Sequence, residues 1–405
     1  MADMPLRQRT RRAPSAAHRA SRVHRGRPAV ALTAATGLAL AVAGAVALAG
    51  CTSGSSGSPG SPASGAASSG SGAAAAGAGQ VASLQWSSCN VSGVAGIAMK
   101  CANLQVPLDY QHPSGRKITI ALSEVPATAP ASQQQGDLLV NPGGPGGPGR
   151  SLAAAVAQGL QPQVAAEYNI IGFDPRGVGA SVPALTCDPS FFSGVRPNYI
   201  PANAAAEQVQ INRSKTYATD CEQRFGWFLP YLNTEDVARD VDSIRAAMHQ
   251  QKINYYAFSY GTYIGEVYAT LFPNRVRRMV LDSTVDPQGV WYTDNIDQDY
   301  AFQARMEAFF GWVAEYSSTY HLGTTTAQVQ QEWYTARKRL AAQPITGPNG
   351  PMIGADEFDD TYLQGGYNDT LWPGLAQALS AYLVQNSASP MVAQYQQNGE
   401  QVENE

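Results

Sequence analysis

Charge is scarce in this 405-residue sequence: Asp, Glu, Lys and Arg make up 14% of it, with a formal net charge of −4. Nothing in that balance suits a nucleic-acid partner, whose phosphates require a basic surface. Histidine is rarer still, five in all (18, 24, 112, 249 and 321), and the five cysteines show no Cys-x-x-Cys spacing; His-Glu-x-x-His is also missing. Neither a metal nor another cofactor is therefore expected. Only residues 29–50 form an uncharged apolar run long enough to span a bilayer, which excludes a polytopic membrane protein. With 44% hydrophobic and 9% aromatic residues, the chain is not collagen, coiled coil or wholesale disorder.

What is present begins with an export signature. Residues 1–28 hold eight Arg against one acid, Asp3, and lead into the apolar run and then Leu48-Ala49-Gly50-Cys51. A basic region, an apolar core and a small-residue site make a secretory signal over residues 1–50. The last four residues resemble a bacterial lipobox, so Cys51 is expected to become the lipidated N-terminus, with 51–80 as lipidated Cys and Ser/Gly tether. The protein would then be exported, as a cell-surface lipoprotein or extracellular, and touch membrane only through its lipid anchor. Removing residues 1–50 leaves 19 basic against 30 acidic side chains, a net −11. Cys89, Cys101, Cys187 and Cys221 remain, an even number that favours two disulfides in an oxidising compartment. Pairing near neighbours gives Cys89 with Cys101 and Cys187 with Cys221, although three connectivities stay open.

The foldable part alternates strand and helix signals. Residues 117–125, 137–140, 168–173, 253–258 and 276–281 read as strands. Residues 234–248 place Val237, Val241, Ile244 and Met248 at helical spacing with Asn233 or Thr234 as cap, and a further helix starts near Tyr260. That order predicts an α/β fold with a mostly parallel sheet and helices on both faces.

Ala257-Phe258-Ser259-Tyr260-Gly261 falls at one such strand-to-helix turn. Small residues on either side let a serine occupy a sharp, strained turn that lifts its hydroxyl above the sheet, so Ser259 is the candidate nucleophile. Ala257 stands where glycine is usual. Acyl transfer also needs N–H donors for the developing oxyanion. Tyr260 supplies one candidate, and the glycine-rich loop after the second strand offers Gly143 and Gly144. That loop has no Gly-Lys-Ser/Thr ending and so is not a phosphate-binding loop.

Four segments in this order resemble the secreted actinobacterial tripeptidyl aminopeptidase and prolyl iminopeptidase group of α/β-hydrolase serine peptidases. They are Asn141-Pro142-Gly143-Gly144-Pro145-Gly146-Gly147, Asp174-Pro175-Arg176-Gly177-Val178-Gly179-Ala180-Ser181, the elbow through Tyr263, and Leu281-Asp282 with Asp286-Pro287. The resemblance implies an α/β-hydrolase fold with an inserted helical cap, and release of short peptides, tripeptides foremost, from free N-termini. It also implies a cap acid for the substrate ammonium, open among Asp294, Asp297, Asp299, Glu307 and Glu315. Asp174 and Arg176 are expected to buttress the oxyanion loop as an ion pair. The aromatic stretch Tyr300, Phe302, Met306, Phe309, Phe310, Trp312, Val313 and Tyr316 is expected to pack the cap. The domains expected are a hydrolase core at 81–287, a cap at 288–390 and the start of a C-terminal core segment at 391–405.

A serine nucleophile needs a base and an acid that orients it, and in this fold both follow the nucleophile. No histidine follows His321, which reads as a helix-end cation, and His112 precedes the serine. The expectation is a truncated chain lacking its closing strands, with triad acid and base beyond residue 405, and nearly inactive as it stands. An esterase or lipase of the same fold, and a non-catalytic surface lipoprotein, are the alternatives.

Overall fold

The computed structural model describes residues 84–347 and 350–399, so the expected signal segment, Cys51 and the tether lie outside it. The strands are β1 (Ser87–Cys89), β2 (Met99–Pro107), β3 (Lys117–Val125), β4 (Gly136–Asn141), β5 (Tyr168–Asp174), β6 (Ile253–Phe258) and β7 (Val276–Asp282). They form one sheet in the order β1-β2-β3-β5-β4-β6-β7. Pairing is antiparallel from β1 to β5 and parallel from β5 through β4 and β6 to β7. Only β1 and β3 oppose the common direction, and the sheet is mostly parallel as expected.

Around this sheet run α1 (Leu152–Gly159), α2 (Pro162–Ala166), α3 (Ala204–Phe225), α4 (Thr234–Ala247) and α5 (Tyr260–Leu271). The apolar stripe of α4, Val237, Val241 and Ile244, packs with α5 residues Ile264 and Tyr268 on one face of the sheet. Ala153, Ala154 and Val156 of α1 cover Val140 and Ile170 on the other. Burial on both faces explains why Leu139, Val140, Ile170 and Ile171 read as unbroken apolar runs. Asn233 accepts from the Asp236 N–H at the start of α4, where Glu235 and Asp236 favour the helix dipole.

The cap comprises α6 (Tyr292–Glu315), α7 (Ser317–Tyr320), α8 (Thr326–Ala342), the hairpin β8 (Ile345–Gly347) and β9 (Gly350–Ile353), α9 (Ala355–Tyr367), α10 (Trp372–Leu383) and α11 (Ser389–Gln394). Phe309, Phe310 and Val313 of α6 join Leu340, Phe358, Tyr362, Leu375 and Leu379 in its own core. Of the aromatic stretch, Phe309, Phe310 and Val313 are thus core, whereas Tyr300 is 72% and Tyr316 48% exposed. Met391 and Tyr395 are buried in the same cluster. Residues 187–200, placed in the hydrolase core by sequence, are held to the cap. Arg196 pairs with Glu357 at 2.8 Å and with Asp360, Arg337 donates to Asn198, and the Tyr199 N–H reaches Asp356 at 2.9 Å.

Both near-neighbour disulfides are present, Cys89–Cys101 and Cys187–Cys221. The first ties β1 to β2, and the second ties residues 187–200 to α3.

Candidate active site

Ser259 sits at the turn from β6 into α5 with φ 50° and ψ −129°, a conformation that strains any residue with a Cβ. The turn is braced on both sides. Its N–H donates to the Asp282 carbonyl of β7 at 3.1 Å, and its carbonyl accepts from the Thr262 N–H and hydroxyl at 2.8 and 2.6 Å. A Cβ on Gly261 would come within 2.7 Å of Asn141 Oδ1 and 2.9 Å of its carbonyl oxygen, so glycine is required there. Ala257, wholly buried, is small enough for the place glycine usually takes.

The loop after β4 lies directly against this turn. Gly143 has φ 95°, and a Cβ there would meet the Phe258 carbonyl oxygen at 2.6 Å and Tyr260 N at 2.9 Å. The Gly143 N–H, however, donates to Asn141 Oδ1 at 2.9 Å. Of the two glycines expected to supply a donor, Gly144 keeps its N–H without a partner among the described residues, as does Tyr260. Asn141, fully buried, thus holds the loop in place, a role its sequence position did not announce. The Tyr260 side chain anchors the elbow: its hydroxyl lies 2.8 Å from Thr234 Oγ1, and its ring packs at 5.0 Å on Trp291 at the entrance to the cap.

The expected Asp174–Arg176 ion pair is not formed. Arg176 is held by Asp240 of α4 through two 2.7 Å bonds, with Asp236 at 3.7 Å. Its remaining N–H groups donate to the Leu108, Tyr231 and Pro107 carbonyls. A buried guanidinium needs all five donors satisfied, and a carboxylate two residues away cannot supply that geometry. Asp174 instead accepts the backbone N–H groups of Arg150 at 3.1 Å and Ala180 at 2.9 Å, stitching together the loops after β4 and β5. Burial raises its pKa, and those N–H groups oppose the shift. Asp174 thus ties down the loop after β4, whereas Arg176 fixes the loop after β5 to α4 and to the end of β2.

Among the described histidines none hydrogen-bonds Ser259. His112 pairs with Asp109 at 2.7 Å on the surface, and His321 ends α7 in a left-handed conformation, exposed. Of the five cap acids, Asp297, Asp299, Glu307 and Glu315 are exposed. Asp294 is half-buried, and its Oδ2 is enclosed without a partner. Burial raises the pKa of Glu266 on α5, and the charges of Asp286 and Asp294 push it the same way. Two cavities of about 310 and 340 Å³ lie elsewhere, beside residues 188–217 and at the starts of β4, β5 and β6, whereas Ser259 follows the end of β6.

Residues 138–381 match the α/β hydrolase fold family. The chain belongs to that family. It is 39% identical over 307 residues to a tripeptidyl aminopeptidase of Streptomyces lividans, covering 75% of this chain and 56% of that protein. It is 31% identical over 332 residues to the serine protease Hip1 of Mycobacterium tuberculosis, covering 76% and 61%. A carboxylesterase B of Mycobacterium tuberculosis is 35% identical over 307 residues, covering 73% and 57%. The chain thus spans little more than half the length of these relatives. Within the α/β hydrolases it falls with the actinobacterial peptidase group that the four segments resembled.

Proposed function

We propose that this chain carries the nucleophile, oxyanion donors and cap of an exported serine hydrolase of the aminopeptidase type, acting on peptides with a free N-terminus. The observation that carries the reading is Ser259 held at φ 50° against a glycine loop, with the Gly144 and Tyr260 N–H groups left unengaged. In the reaction Ser259 Oγ bonds to the scissile carbonyl carbon while the oxygen takes up negative charge before those donors. The C–N bond then breaks, the amine leaves with a proton, and water hydrolyses the acyl-enzyme. The proton transfers need a general base that the described residues do not bring to Ser259, so slow turnover is expected of the 405-residue chain.

Asp294 is the cap acid suited to the substrate ammonium, because its inward oxygen lacks a partner. The test is hydrolysis of tripeptidyl chromogenic substrates, free and N-acetylated, by wild type, Ser259→Ala and Asp294→Asn. Preference for the free amine, lost in Asp294→Asn and with all turnover lost in Ser259→Ala, supports the reading. Equal rates on both substrates favour the esterase reading, for which the carboxylesterase relative argues. Export with a lipid on Cys51 predicts membrane-bound protein that Cys51→Ala releases, and wild type found wholly soluble would refute it.

A further inference from the structure

Asn141 holds a buried donor that has nothing to bond. It is the last residue of β4, in register with Ala257 of β6, so it stands on the final rung before the glycine loop and the elbow leave the sheet. Its Oδ1 accepts the Gly143 N–H at 2.9 Å, while Nδ2 is enclosed without a partner. Turning the amide over would set Nδ2 against that N–H, donor against donor, so its orientation is fixed. The surrounding residues close Nδ2 off from solvent and from any other segment. A buried donor left unpaired destabilises the fold, and its presence calls for a reason.

The reason lies in what the oxygen does. The same Oδ1 also lies against the elbow, 2.7 Å from where a Cβ on Gly261 would stand. One atom therefore adjoins both halves of the oxyanion site, the loop at Gly143 and the first turn of α5 at Gly261. By engaging the Gly143 N–H it leaves the Gly144 and Tyr260 N–H groups as the donors. Leucine has the same branched outline but no acceptor, and would free the Gly143 N–H and the loop with it. Aspartate would accept equally well, yet would bury a negative charge close to the place where the oxyanion forms. Of these three side chains of one shape, only asparagine offers an acceptor without a charge, and the idle Nδ2 is what that neutrality requires. We propose that Asn141 is a positioning residue for acyl transfer, whose neutral oxygen sets the spacing of the Gly144 and Tyr260 donors and keeps negative charge away from the oxyanion. The proposal rests on the reading of Ser259 as the nucleophile.

The experiment compares the rate at which a fluorophosphonate labels Ser259 in the full chain as wild type, Asn141→Asp and Asn141→Leu, between about pH 5 and about pH 9. Circular dichroism at each pH checks that the proteins remain folded. Dividing each variant's rate by the wild-type rate cancels the pH dependence of the serine itself. Burial raises the pKa of the introduced carboxyl. The Asn141→Asp ratio should therefore be close to one in acid and fall about tenfold or more as the carboxylate forms. Asn141→Leu should be slowed about tenfold or more by the same factor at every pH, because it loses the acceptor without gaining a charge. A level ratio for folded Asn141→Asp, or Asn141→Leu labelled at the wild-type rate, overturns the proposal. Variants that fold at no pH would assign the amide to stability alone and overturn it as well. A wild type whose Ser259 takes no label refutes the nucleophile reading itself, and the proposal with it.

Discussion

Replacing Arg176 with methionine should be among the most damaging single changes outside the elbow. Arg176 is 3% exposed and Asp240 1%, and the guanidinium makes five hydrogen bonds, two to Asp240 and three to backbone carbonyls. Methionine matches the aliphatic stem but leaves Asp240 facing only the Tyr110 hydroxyl at 2.8 Å. Breaking a buried pair by removing one partner costs about 3–5 kcal/mol. The loss is a large share of the roughly 5–15 kcal/mol that holds a domain folded. Burial already raises the pKa of Asp240, with the Arg176 bonds opposing. Without them its folded pKa rises further, so Arg176→Met should lose most stability at neutral pH and progressively less as the carboxyl protonates on acidification. Urea unfolding at several pH values, followed by core tyrosine fluorescence, reads this out. Arg176→Met with Asp240→Leu should cost less than the two single changes combined, because no charge is left stranded. A loss below about 1 kcal/mol for Arg176→Met, or strict additivity, would refute the assignment of this pair as the tie between α4 and the loop after β5.

Gly143→Ala forces a Cβ to 2.6 Å from the Phe258 carbonyl at φ 95°, and should cost at least about 2 kcal/mol in thermal unfolding while moving the loop off the elbow. Of the two disulfides, Cys187–Cys221 encloses the longer segment, 34 residues against 12, so removing it should cost about 4 kcal/mol against about 3 for Cys89–Cys101. Thiol titration of denatured exported protein should find all four of these cysteines blocked. Burial, aided by the neighbouring Glu357 and Asp359 charges, pushes the Asp356 carboxyl up to about 6. A raised folded pKa gives stability that is full below the unfolded value and is lost as pH rises through the folded one. Asp356→Asn should therefore flatten the decline between about pH 4 and pH 6 by about 1–2 kcal/mol, seen as a smaller change in melting temperature.

The strands that position the site were legible because they are buried on both faces. Lys117–Val125 and Ile253–Phe258 follow their apolar runs to the residue. β2 was legible too and passed over: Met99, Ala102, Leu104 and Val106 are buried between exposed Lys100, Asn103 and Gln105. By contrast α3 buries only Cys221, so it carries no apolar stripe for the sequence to show. Partner choice was hidden by distance along the chain. Asp174 is the acid nearest Arg176 in sequence, whereas the carboxylate that fits its guanidinium lies on α4, 64 residues away. The glycine loop was recognised by composition, but which N–H remains free depends on the Asn141 side chain, which no spacing encodes.

The central claim is that Ser259 is the acyl-accepting nucleophile, and covalent labelling tests it most directly. Prolonged exposure of the chain to a fluorophosphonate, followed by peptide mass spectrometry, should yield one adduct, on Ser259. Labelling should vanish in Ser259→Ala and slow markedly in Gly143→Ala, which shifts the oxyanion donors. An adduct on another residue, or labelling that persists in Ser259→Ala, would contradict the account.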